Sequence, residues 1–514
     1  MLRPLLTVSA GTLSSRLLGF VRDALVAALL GAGGIADAFL LAFQLVNVTR
    51  RLLTEGALNA ALVPAWLRVR EHDGIAAAEA FAGRLLGTIA LATLALAIMI
   101  GVAMPLVITL LAPGFAGRPE LTLAVESARL MLPYLAFAGP VAVMMGLFNA
   151  QHKVGLTAFS PLLFNLALIA VTAALLIAAR GGEPAVLILS ATVGIAGLLQ
   201  LSILVFNGRG ERLATPLRAS FDAPMRGFFA QAIPGMIANA APQLIIVIGA
   251  LVASAQPAAV SWLYFANRLI ELPLGIVGVA MGAVLVPELS RAVRSDDAAA
   301  HGRAAAQALE LAIGVALPAT LGLIVLREPI VRLLFEHGAF GPEDAAATAQ
   351  ALALLALGLP AQVLAKNASA SLFSREDTRT PLIATLASLA VVLIAAVALG
   401  WLFGVGGVAA AVALGAWTNA GLLIGRSGGP SLTPAGRGRL VRIVIAAAVM
   451  AGLLALKASF VLPLAEHGSV LVQAAVLAVL IAGGVIIYAA ALLLLGVVSL
   501  KSARDALRRP GLRD

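Results

Sequence analysis

The chain has 514 residues, 61% of them hydrophobic and only 12% charged, with a net charge of +10 and a mean hydropathy of +1.03. Soluble domains carry about 25% charged residues, so this composition excludes a soluble globular protein and indicates an all-α, polytopic membrane protein. The absence of cysteine excludes disulfides, thiolate catalysis and Cys-ligated zinc.

The N-terminal stretch MLRPLLTVSAGTL has a basic residue and a short apolar run, but Ser14, Ser15 and Arg16 follow and hydrophobicity then resumes. That order predicts an uncleaved first span rather than a signal peptide. Apolar windows long enough to cross a hydrocarbon core recur at 5–30, 35–53, 82–111, 123–150, 156–179, 184–206, 227–253, 258–287, 304–326, 344–372, 380–403, 406–425, 440–463 and 470–499. They predict about fourteen transmembrane helices, each near the length of about 20 residues that a bilayer requires.

With the N-terminus inside, most of the 35 Lys and Arg fall on one face. Only Arg118, Arg129, Arg180, Arg327, Arg332 and Lys457 lie on the other, and Arg16, Arg22, Arg268 and Lys366 lie within spans. This asymmetry is the positive-inside pattern and predicts that both termini are cytoplasmic. The net charge is mostly this bias, so it calls for no nucleic-acid partner.

The chain also repeats itself. ALVPAWLRVR at Ala61 is echoed by AVLVPELSRAVR at Ala283, LLAPGFAG by LLFEHGAFG, and GLFNAQHKVGLTAFSP by SLFSREDTRTP, with Gly117 and Gly341 224 residues apart. Each copy holds an even number of spans, so the copies share one orientation and predict two six-helix lobes about a pseudo-twofold axis along the membrane normal. Transporters built of repeats place substrate between them and alternate access. The shift carries Arg16 to Ala240 and Arg22 to Ile246, so the first span's charges have no counterpart. It carries Gln44 to Arg268 and Asn47 to Glu271, which places polar groups of the second and eighth spans at matched heights.

A charged side chain at the bilayer centre costs about 2.5 to 3.5 kcal/mol on insertion scales. Arg16 and Asp23 share a face of the first span, and Arg22 lies about 120° away from it. Asp37, Gln44, Asn47 and Arg51 form a stripe on the second span, with Arg50 beside Asn47, and Arg268 and Glu271 are three apart on the eighth. Arg51 and Glu55, near the cytoplasmic end, are expected to pair locally. For Arg268 with Glu271, a local pair and a functional role both stand. One Asp cannot neutralise two guanidiniums, so Arg16 and Arg22 predict a cationic cavity that requires an anion. Arg offers a planar, permanently charged fork suited to phosphate; a small soluble anion or a lipid phosphate would meet that requirement. Lys366 is expected to line a wet surface.

In order along the chain, SRLLGFVRD, GAGGIADAF, NVTRRLLTEGALNAALVP, YFANRLIELPLGIVGVAMGAVLVPELSR, LFEHGAF and LFSREDTRTP closely resemble the motifs of the MurJ (MviN) family. These are bacterial lipid II flippases of the multidrug/oligosaccharidyl-lipid/polysaccharide exporter superfamily. The resemblance implies an N-lobe at 1–208, a C-lobe at 224–428 and a two-helix tail at 438–500 that forms a lipid-facing groove. It implies transport, not enzymatic catalysis, by a monomer in the bacterial cytoplasmic (inner) membrane, without a cofactor. The implied substrate is lipid II, the undecaprenyl-pyrophosphate-linked disaccharide pentapeptide, moved from the inner to the outer leaflet by alternating access for cell-wall synthesis, with membrane lipid around its tail. Arg16, Arg22, Arg50 and Arg268 match the family's cavity arginines, and Asp23 and Asp37 the acids nearby. With the polar residues Gln44, Asn47 and Glu271 they make up the expected substrate-binding set. Gln44 stands where many relatives have Lys, and Asn267 where many have an acid, an exchange that leaves local charge unchanged. The resemblance leaves a metal site and a coupling cation open.

A drug or ion antiporter of the same superfamily would favour acids over these intramembrane arginines. A flippase of another polyprenyl-linked glycan, or a scaffold with the same fold, would share the motifs. An enzyme acting on polyprenyl phosphate would need catalytic acids, a metal site or a nucleophile; Asp296 and Asp297 read as solvated loop charge, and the five His are scattered.

Overall fold

The structure is a computed structural model that describes residues 2–54, 57–151, 153–208, 213–275, 298–373, 377, 379–427, 433–465 and 468–498. Among the described residues there is no strand. The helices are α1 (Leu2–Leu30), α2 (Gly34–Thr54), α3 (Ala57–Asp73), α4 (Ile75–Val102) and α5 (Met104–Leu111), followed after a short 3-10 turn by α6 (Pro119–Ala150), α7 (Val154–Ile177), α8 (Gly182–Gly208) and α9 (Ala223–Ala253). Next come α10, described over 259–275, α11 (Ala298–Val325), α12 (Arg327–Phe335), α13 (Pro342–Ala356), α14 (Leu359–Phe373), α15 (Arg379–Arg426), α16 (Pro434–Ala465) and α17 (Val470–Leu494).

Among the described residues the apolar windows fall on these helices, with 82–111 divided between α4 and α5 and 344–372 between α13 and α14, while the end of window 258–287 lies outside the described residues. Seven helices among the described residues are long and apolar enough to cross a membrane, or up to nine if two bent pairs are each one span. The bent pairs are α11 with α12, at 73°, and α13 with α14, at 41°. Large apolar side chains such as Ile98, Val102, Ile177, Trp401 and Leu494 are exposed, as a protein whose solvent is lipid requires. Small residues let helices approach closely: a methyl group at Gly194 or Gly197 of α8 would strike Leu130 or Tyr134 of α6.

The 48 residues of α15 are too many for one crossing, and Gly404 breaks them with φ 61 and ψ −143. The two parts fold back on each other: Ser388 Oγ donates to Gly415 O at 2.8 Å, and Gly407 lies against the Leu399 carbonyl. The break falls between the windows 380–403 and 406–425. Only glycine adopts that φ/ψ region at low cost, so Gly404→Ala is expected to destabilise the hairpin by about 1 to 3 kcal/mol. A fall in the thermal midpoint of the purified protein, larger than that for Ala409→Gly, checks this.

The duplication is visible in the helix boundaries. A shift of 224 carries α4 onto 299–326, against Ala298–Val325 of α11, and α5 onto 328–335, against Arg327–Phe335 of α12. It carries α6 onto 343–374, where the second copy has α13 and α14 broken at 357–358, the counterpart of Pro133 and Tyr134 inside the continuous α6. The echo at 283–294 and the acids Asp296 and Asp297 lie outside the described residues.

The windows contained no separate helix for α3. Its Leu58, Leu62 and Trp66 recur every four residues and are buried, while Arg68, Arg70 and Glu71 are exposed. That stripe packs α3 on α4, α6 and α9. Asp222 caps α9 by accepting from Met225 N at 3.1 Å. That bond holds its carboxyl below the usual range, helped by the Ser220 hydroxyl and the Arg84 and Arg226 charges against partial desolvation. Because the folded value is the lower one, this contribution is complete at neutral pH and is lost as pH falls through and below the ordinary carboxylate range.

The chain forms two compact units, one of 1–264 with 337–344 and one of 265–336 with 345–514, so the division falls within α10. In the first, α6 is the hub, packed by α2, α4 and α8, while α7 lies along α1. In the second, α11 packs on α14 and α16, and α16 pairs with α17.

Candidate functional site

Arg22 is the charge of α1 that the fold encloses. Its residue exposure is 6% and that of Asp23 is 2%, at a position flanked by apolar turns. Arg22 Nε and Nη2 both donate to Asp23 Oδ1, at 2.9 and 2.6 Å, and Nη1 donates to Asn165 Oδ1 of α7 at 3.0 Å. The guanidinium also sits over two rings, 4.9 Å from the Phe43 centroid on α2 and 5.8 Å from the Phe164 centroid on α7. Such cation–π contacts strengthen when desolvated.

The shell around it is itself fixed. Asn165 Nδ2 donates to Ser15 O at 3.2 Å, which orients the amide so that its oxygen faces Arg22. Phe43 stacks on Phe164 and meets Tyr264 edge-on, and Tyr264 Oη donates to Asp23 Oδ1 at 3.3 Å. Behind Phe164 lies Tyr134, whose hydroxyl donates to Gln200 Oε1 at 3.4 Å. Gln200 in turn donates to Ser160 O.

The structure therefore gives Arg22 a carboxylate, an amide oxygen and two rings as neighbours. Neighbouring residues on a helix do not normally face each other, but the long Arg arm turns back along α1 and the two rings hold it over Asp23. Arg16, which the helical spacing places on the Asp23 face, is half-buried. Asp37 is buried in the first turn of α2, where Oδ1 accepts from Ser261 N at 2.8 Å and from the Ser261 hydroxyl. Gln44 and Asn47 are half-buried on α2. The side chain of Arg50, and Glu55 altogether, lie outside the described residues.

On α10, Arg268 Nη1 donates to Glu271 Oε2 at 2.6 Å, with side-chain exposures of 17% and 22%. The local pairing of these two is thus present. Lys366 is exposed. No group of three or more metal-ligating side chains occurs among the described residues.

Sequence reasoning missed Asn165, Phe43, Phe164, Tyr264 and Ser261. Asn165 carried a signal, being an amide inside the apolar run SPLLFNLAL; Tyr264 opens the eighth-span motif and Ser261 stands three residues before it. The rings carried none, because aromatic residues in apolar spans are ordinary.

Comparison with known proteins gives the family. The model of a family described as lipid II flippase MurJ matches residues 26–497. A probable lipid II flippase MurJ of Rhizobium meliloti (strain 1021) is 38% identical, covering 98% of this chain and 95% of that protein. The lipid II flippase MurJ of Burkholderia cenocepacia is 31% identical, covering 88% of this chain and 89% of its own length. Among solved structures, a lipid II flippase MurJ in an inward closed conformation aligns with a TM-score of 0.77 at 22% identity, covering 98% of this chain and 99% of that one. An inward-facing multidrug resistance MATE family transporter of the MOP superfamily aligns at 0.66 and 16% identity, covering 83% and 95%; both likenesses concern the fold. A match of this length, with relatives above 30% identity over most of both chains, places this multi-pass membrane protein in the MurJ lipid II flippase family.

Proposed function

We propose that this chain flips lipid II from the inner to the outer leaflet of the bacterial cytoplasmic membrane by alternating access, for peptidoglycan synthesis. The observation that carries the reading is the similarity to proteins named lipid II flippase across almost the entire chain. In this reading Arg16, Arg22, Arg50 and Arg268 hold the pyrophosphate, with Asp23, Asp37, Gln44, Asn47 and Glu271 around them. The N-lobe at 1–208 and the C-lobe at 224–428 rock, and the tail at 438–500 guides the polyprenyl chain. Asp23 and Glu271 act as resident anions: each neutralises its arginine while the site is empty and yields it to the incoming pyrophosphate. A ligand that binds one conformation better shifts the population toward it, so neutralised arginines would favour closure of the inner side.

The direct test is rescue of a bacterium depleted of its own flippase, scored by growth and by lipid-linked precursor accessible at the outer leaflet. Rescue is expected. Failure with normal abundance in the membrane would point to another polyprenyl-linked substrate. Orientation has its own test, because the chain contains no cysteine. A single cysteine at Glu71, exposed on α3, is expected to react with an impermeant maleimide only in inverted vesicles, and one at Glu183 only in intact cells. The reverse pattern would invert the topology.

A further inference from the structure

We propose that a cleft between α3, α4 and α9 is a second anion site, one that takes a phosphate group. The cleft has a volume of about 550 Å³. Ala65, Arg68 and His72 lie on one stripe of α3, and Ala77, Ala80 and Arg84 on one stripe of α4, at spacings of three and four residues. Gly74, at φ 86, reverses the chain between the two helices, so the stripes form opposing walls, and Gly227 and Phe228 of α9 close the third side.

The walls are held in place independently of any ligand. The segment leading into α9 is tied to α4, with Ser220 N donating to Thr88 Oγ1 at 2.9 Å and Arg218 N donating to Gly83 O at 3.4 Å. The α4 wall carries the small side chains Ala77 and Ala80, and Gly227 adds none on the third side. A compact group can enter the cleft and a bulky one cannot.

The charges face inward from two sides. Arg68 Nε donates back to Pro64 O at 3.4 Å, which lays the arm along α3; its terminal nitrogens make no hydrogen bond to a described residue. Arg84 Nε is buried without a hydrogen-bond partner and forms a long, half-exposed ion pair with Asp222 Oδ2 at 3.7 Å, so an incoming anion competes with Asp222 for this guanidinium. Asp73 is the one acid in the lining and His72 adds a donor. Solvated surface arginines would need no preformed three-walled concavity. Two guanidinium forks from opposite walls suit an anion with oxygens on more than one side, which phosphate has and a carboxylate lacks. An acidic phospholipid headgroup and a soluble phosphate both present that chemistry.

None of these residues belongs to the proposed lipid II site, so the inference stands or falls apart from the flippase reading. The test uses the full-length, delipidated protein with two probes: inorganic phosphate by equilibrium dialysis, and phosphatidylglycerol against phosphatidylcholine by native mass spectrometry. The wild type is compared with Arg68→Gln, Arg68→Gln/Arg84→Gln and Ala80→Trp, which fills the cleft without altering charge. Binding of at least one probe is expected to weaken about 100-fold in the double variant, which loses charge-assisted hydrogen bonds from both arginines, and to weaken likewise in Ala80→Trp, whose ring occupies the space. Phosphate that competes with phosphatidylglycerol identifies the lipid headgroup, and phosphate bound alone identifies a soluble anion. Equal binding by folded wild type and variants, or phosphatidylcholine bound as well as phosphatidylglycerol without any phosphate binding, overturns the proposal. Should Arg84→Gln fail to fold, Arg68→Gln, at an exposed position, carries the same comparison.

Discussion

Arg22→Ala is expected to abolish rescue of a flippase-depleted strain and also to lower the amount of folded protein in the membrane. The substitution takes the cation from a carboxylate that is 2% exposed, and breaking a buried pair from one side costs about 3 to 5 kcal/mol. That is a large share of a typical stability of about 5 to 15 kcal/mol. Folding and transport are separable through Arg22→Met with Asp23→Leu, which removes both charges and keeps the volume. Replacing a buried ion pair with apolar side chains is often neutral or stabilising, so this double variant is expected to recover the thermal midpoint and membrane abundance yet still fail to rescue. Full rescue by the double variant would show that the pair serves packing alone.

Arg268→Ala is expected to abolish rescue with near-normal abundance. The Arg268–Glu271 pair is more accessible than Arg22–Asp23, so its loss is expected to cost folding less than that of the enclosed pair. Charge-assisted bonds to a bound pyrophosphate are worth about 1.5 to 3 kcal/mol each, so losing one or two lowers apparent affinity about 100-fold. Arg268→Lys keeps the charge without the fork and is expected to fall between Ala and wild type. Glu271→Gln frees the guanidinium without removing it and should tighten precursor binding while slowing release. Precursor binding to the purified variants, measured beside rescue, checks the series; unchanged binding in Arg268→Ala would remove this residue from the site.

The all-helical class was legible because lipid imposes a length on every apolar run; of the about fourteen spans expected, seven helices, or up to nine with the bent pairs, are long and apolar enough among the described residues. The reversal at Gly404 falls in the narrow gap between two windows for the same reason. The repeat was legible through three short echoes, and the helix boundaries follow the same shift. The environment of Arg22 was not legible. Helical spacing places Arg16 and Asp23 on one face, and rings on α2 and α7, far away in sequence, hold the Arg22 guanidinium over that same carboxylate. Such a placement is tertiary and leaves no periodic trace. Likewise α3 escaped notice, since its buried stripe is short and is flanked by charges that resemble an ordinary loop.

The contrast between the continuous α6 and its counterpart, split at Gly358, bears on stiffness. An unbroken helix resists flexing along its length even with Pro133 and Pro140 inside it, while a 41° elbow concentrates strain at one joint. The first copy is thus a strut and the second a knee, so any shape change during a transport cycle would be taken up unequally by two halves that share one blueprint.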